Sequence, residues 1–158
     1  MDEIAPPHPA PPRRLPGLPM PAYRYIPGFQ PHPYRAEGGH QHLAGQHPSG
    51  ETCWLHGLDL FDHRYVWESH EVWEPLWLAL RAGSAEKELV QAMIQWAASL
   101  LKGHMGAPEA ALRLLGRAQA RVAVARQAGP VCQGLDLDAL LAQMATPGWP
   151  PPLGGLSR

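Results

Sequence analysis

At 158 residues, with a formal net charge of -1 and 17% charged residues, the chain can build one modest hydrophobic core and has no bulk attraction to nucleic acid or acidic membranes. Its two cysteines, Cys53 and Cys132, exclude a disulfide scaffold and a cysteine-rich zinc module. The longest apolar run, Leu89 to Leu101, is too short to cross a bilayer, and the N-terminus carries acidic residues without the apolar stretch of a secretory signal. A cytoplasmic protein is expected.

Twelve of the nineteen prolines lie in the first fifty residues. Proline fixes φ and removes a donor, so residues 1–22 are expected to form a disordered lead. Residues 23–53 differ. Tyr23, Tyr25, Ile26, Phe29 and Tyr34 alternate with prolines, glycines and histidines, which reads as an extended arm packed on a helical domain of residues 54–146. A flexible tail, 147–158, follows.

Within the domain four helices are expected. The first runs from an N-cap at Asp62 to Leu80 and stops at Gly83. The second opens at Ser84 and reaches Lys102. Pro108 suits a first helical turn, so the third runs from there to Gln127 and ends at Gly129-Pro130. Asp136 to Ala145 is the short fourth. No alternating β-branched run bounded by turns is present, so the fold class is all-α, a small helical bundle.

The segment YVWESHEVWEPLW, Tyr65 to Trp77, places a histidine and three glutamates among three tryptophans. At 3.6 residues per turn His70 and Glu74 share a face and can reach one point, the spacing by which one helix offers two ligands to a metal. Glu71 and Glu68 lie on the adjoining face as candidate bases. His32 and His40 in the arm are candidate further ligands, and His104 lies after the second helix. Trp67 and Trp77 with Gln91 and Gln95 are expected to line a pocket between the first two predicted helices. Pro75 lacks the N–H that the Glu71 carbonyl would accept and should bend the helix.

His70, Glu74 and Trp77 meet the pattern H-x-x-x-E-x-x-W, followed by QAMIQWAASLL and GAPEAALRLLGRA. In that order, over residues 54–120, the chain resembles the bacterial and archaeal helical family called domain of unknown function 309. The resemblance implies a compact helical fold and a metal-binding role for the histidine–glutamate motif, and it brings no reaction. The chain departs from the family pattern at Lys102, where many members carry a histidine.

HEVWE also looks like the zinc-protease pattern with its second histidine replaced by Glu74, but that replacement and Pro75 speak against a protease. No Glu-x-x-His pair of a di-iron bundle, no Walker loop and no nucleophile elbow is present. Two readings stand side by side. One is a divalent-metal site, zinc first, supporting metal-dependent hydrolysis of an unknown small molecule. The other is a non-enzymatic helical interaction or oligomerisation module, in which Gln91 and Gln95 satisfy a buried His70–Glu74 network and the tryptophans meet a protein partner or second copy. Arg113, Arg117 and Arg121 form a stripe best read as a solvated face, so nucleic acid and membrane partners are not expected.

Overall fold

The computed structural model describes residues 1–34 and 49–153. Five helices lie among them: α1 (Gly50–Asp62), α2 (Val66–Ala79), α3 (Ala85–His104), α4 (Pro108–Arg126) and α5 (Leu137–Met144). The fold is a small all-α domain with one minimal hairpin, β1 (Val131–Cys132) and β2 (Leu135–Asp136). Its order along the chain follows local chemistry. Ser49 caps α1 by accepting the Thr52 N–H, Ser84 caps α3 by accepting that of Lys87, and Asp136 caps α5 by accepting that of Ala139. Pro108 opens α4 at its first turn.

Helix α1 is the element that sequence reasoning does not find. Asp62 is its last residue, not the N-cap of the next helix. The break between α1 and α2 contains neither glycine nor proline: Arg64 takes φ 66°, a left-handed conformation rare for a side-chain-bearing residue. Gly50 and Gly57 weaken the helical signal of the segment itself. Gly57 has a packing reason, because a Cβ there would stand 1.9 Å from the indole Nε1 of Trp73. Trp73 is wholly buried against that bare backbone and donates to the Trp54 carbonyl at 3.3 Å.

Helix α3 is the central element, with Leu89, Val90, Met93 and Ala97 fully buried between α2 on one side and α4 on the other. The hairpin pairs Val131 with Asp136 and Cys132 with Leu135. Its two turn residues, Gln133 and Gly134, both have positive φ, as a type I′ turn requires. Two-residue strands are too short to alternate, which is why no strand is legible in the sequence. The Trp54 indole donates to the Gln133 carbonyl at 3.0 Å and ties α1 to this hairpin.

Residues 1–34 contain neither helix nor strand, yet they are seated on the domain. Ile4 and Ile26 are buried in the core. Arg14 and Leu15 donate their backbone N–H groups to the carboxylate of Asp59, and the Arg14 guanidinium reaches both Asp59 and Asp62. This differs from a disordered lead: apolar anchors spaced between the prolines, with two buried carboxylates to receive donors, hold the segment against α1. At the other end Leu153 is fully buried and donates its N–H to Asp62 at 2.8 Å, so the segment after α5 is anchored there, with Trp149 packed against the core.

Candidate metal centre on the outer face of helix α2

Helix α2 sorts its residues into two faces. Val66, Glu68, Ser69, Val72, Trp73 and Leu76 are buried. His70, Glu71 and Glu74 fall on the opposite side, where Glu74 is exposed and the other two are half-buried. The helix runs on past Pro75 to Ala79, so the proline leaves the Glu71 carbonyl without its usual N–H donor inside an unbroken element.

On that outer face His70 Nε2 lies 3.6 Å from a Glu74 carboxylate oxygen. Potential ligand atoms of His70, Glu71 and Glu74 all lie within 4.8 Å of one another. The Glu71 carboxyl is pushed above the ordinary carboxylate range, first by burial and then by the Glu74 charge, while the His70 charge, a hydrogen bond from Tyr34 and the His32 charge oppose that rise. Among the described residues, two carboxylates thus share one spot with an imidazole and no lysine or arginine is paired with them.

The arm forms the second wall. The Tyr34 hydroxyl donates to Glu71 Oε2 at 3.4 Å, and burial with the neighbouring Glu71 charge pushes the Tyr34 hydroxyl up to about 12. Trp67, on the same side of α2, is ringed by Tyr25, His32 and Tyr34 with centroids 4.8, 5.7 and 5.7 Å away. His32 Nδ1 accepts the Tyr34 backbone N–H at 3.3 Å, so the neutral ring carries its proton on Nε2. His32 therefore stands beside the cluster, close enough for its charge to act on Glu71. His40 lies outside the described residues.

The structure puts the remaining expected residues elsewhere. Glu68 is wholly buried and accepts the Tyr25 backbone N–H at 3.0 Å, so it fastens the arm and is not placed as a base. Gln91 and Gln95 are half-buried on α3, and among the described residues no hydrogen bond joins either one to His70, Glu71 or Glu74. The side-chain oxygen of Gln95 and the indole nitrogen of Trp77 are buried without a hydrogen-bond partner. Trp77 turns toward the start of α3, where Lys87 Nζ sits 4.4 Å over its ring. Among the described residues these glutamines and the His–Glu stripe therefore do not form one hydrogen-bonded network. His104 is engaged at the far end of α3, with Nε2 2.6 Å from the Asp2 carbonyl oxygen. Tyr34 is the site residue that sequence reasoning did not assign. The signal for it was only its place in the aromatic–proline alternation of the arm.

The donors fit a divalent cation. One imidazole nitrogen and carboxylate oxygens are borderline-to-hard ligands suited to zinc or a similar ion, and three protein donors leave a coordination position open. The 3.6 Å separation of His70 Nε2 from the Glu74 carboxylate suits a shared cation, and the Glu71 carboxyl is raised first by burial, with the Glu74 charge adding to the rise.

A helical domain with a His–Glu–Glu cluster on one exposed helix face is the class defined so far. The family model described as domain of unknown function (DUF309) matches residues 54–114, so this segment carries that family's domain. The match spans α2 and α3 in full, and with them the whole H-x-x-x-E-x-x-W stretch. No curated protein and no solved structure matches the chain. Among the described residues no helix is long and apolar enough to cross a membrane.

Proposed function

We propose that the protein is a divalent-metal-binding helical domain, with His70, Glu71 and Glu74 as ligands, zinc as the first candidate ion, and the arm carrying His32 and Tyr34 as a cover over the site. The observation that carries this reading is the convergence of His70, Glu71 and Glu74 on one helix face, with potential ligand atoms all within 4.8 Å of one another. When bound, a divalent cation supplies Lewis-acid polarisation of a carbonyl or phosphoryl oxygen, which is why hydrolysis of a small molecule is the reaction class proposed. In that site Tyr34 orients Glu71 through its hydroxyl, and the rings around Trp67 exclude water from one side. Two free, buried cysteines fit a reducing compartment, and the reading places the protein in the cytoplasm.

The alternative, a non-enzymatic interaction module, rests on a buried His–Glu–Gln network and an open tryptophan surface. The observations weigh against both supports. His70 and Glu74 keep 35% and 54% of their side-chain surface exposed, and Trp67 and Trp77 are already covered by the arm rings and by Lys87.

Elemental analysis of untagged protein purified without chelator tests the proposal, with wild type beside His70→Ala and Glu74→Ala. Near-stoichiometric metal in the wild type and none in the variants is expected. Wild-type protein that neither carries metal nor binds added zinc would overturn it.

A further inference from the structure

Away from α2, a cavity of about 510 Å³ opens between α3, α4, α5 and the segment that follows α5. Its walls are Trp96, Leu100, Leu112, Leu115, Met144 and Trp149, with small residues between them. That volume lies within the range of pockets that enclose drug-sized ligands, and the apolar lining matches theirs.

Three polar side chains in the wall already make hydrogen bonds of their own. Ser99 Oγ donates to the Ala111 carbonyl at 2.7 Å and Thr146 Oγ1 to the Ala142 carbonyl at 3.0 Å. His104 Nε2 donates to the Asp2 carbonyl, and among the described residues no carboxylate, lysine or arginine lines the cavity. A charged ligand would lose its hydration here without recovering an ionic partner, which is costly. An uncharged apolar body loses nothing of that kind and gains burial of apolar surface.

The cavity is also built in advance. Its outer wall, Trp149, is held from two sides, by the Arg64 guanidinium 5.3 Å from its ring centroid and by the His104 ring at 6.4 Å. Leu153 pins the same segment to Asp62 four residues later. Arg64 is the left-handed residue between α1 and α2 and donates to the Ala5 carbonyl as well, so the wall is braced by the lead and by the α1–α2 break. Leu112 stands at the mouth with 68% of its surface exposed, a large apolar side chain left in water.

We propose that this cavity is a binding site for an uncharged, largely apolar small molecule, independent of the cluster on α2. The test uses the full chain and the neutral dye N-phenyl-1-naphthylamine, followed by its fluorescence. Saturable binding at one site is expected, with a dissociation constant on the order of micromolar. Ala111→Phe, which fills the cavity, and Leu112→Glu, which puts a charge at its mouth on an already exposed position, should each weaken binding by roughly tenfold or more. His70→Ala should leave it unchanged. If Ala111→Phe fails to fold, Leu112→Glu decides. Absence of saturable binding, or binding indifferent to the substitutions, overturns the proposal. So does a wild type that excludes the dye and elutes as a dimer that Leu112→Glu dissolves, which would make a second copy the occupant.

Discussion

Two acidic pairs with the same spacing, Asp59 with Asp62 on α1 and Glu71 with Glu74 on α2, have opposite surroundings. The aspartates are buried and fully supplied: Arg14 gives its guanidinium to both, backbone N–H groups of Arg14 and Leu15 go to Asp59, and that of Leu153 goes to Asp62. Among the described residues the glutamates share their face with His70 and receive the Tyr34 hydroxyl, with no arginine or lysine paired to them. Two carboxylates at i and i+3 therefore say little by themselves. What separates a structural clamp from an open site is whether the chain brings its own cation.

The comparison is broken most sharply at α1. Asp59→Ala should remove the acceptor for three donors and cost about 3 kcal/mol, because the partners stay behind in a largely dry place. Urea unfolding measures it, and a loss below about 1 kcal/mol would mean that the lead is held by its apolar anchors alone. Gly57→Ala should follow at about 2 kcal/mol, since its new methyl meets the Trp73 indole and the overpacked helices must part. Near-UV circular dichroism would show the displaced tryptophan.

At the outer face the expectation reverses. His70→Ala and Glu74→Ala should change stability by no more than about 0.5 kcal/mol in the absence of metal, as for other exposed pairs, yet abolish zinc binding in calorimetry. A large loss of stability in metal-free protein would make this pair a clamp too.

The smallest effect is in pH. The Asp62 carboxyl is raised above its ordinary 3.8, by burial first and with Asp59 adding to it, against the Leu153 N–H and Arg14. The folded state then holds this proton more tightly than the unfolded chain. The ionisation penalty is absent below 3.8 and grows as pH rises through the raised value. Asp62→Asn keeps an oxygen for Leu153 and should flatten that part of the stability–pH curve. An unchanged slope would assign it to other groups.

Much of the framework could be read from local signals. Ser84, Pro108 and Asp136 mark the starts of α3, α4 and α5 because capping and first-turn chemistry act within one turn of the chain. Helix α1 could not be read, because its end is a left-handed arginine and its Gly57 serves Trp73, sixteen positions on. The same limit applies at the site. Periodicity puts His70 and Glu74 on one face, and they are found there. It also sets Glu68 close to Glu71, and only tertiary cover separates them: one is sealed beneath the arm by Tyr25, while the other is left at the edge with Tyr34. Gln91 and Gln95 look well placed on a helical wheel, yet which neighbour each face of α3 meets is settled by packing, not by period.

Asp62 receives Arg14 at one oxygen and Leu153 at the other. A single carboxylate therefore fastens segments from opposite ends of the sequence, turning the described chain into a closed belt with its buckle on α1. Releasing either end leaves the other facing an incompletely satisfied acid, so the two should come undone together. A circular permutant that links these neighbouring segments and opens the backbone at an exposed turn would keep the buckle shut.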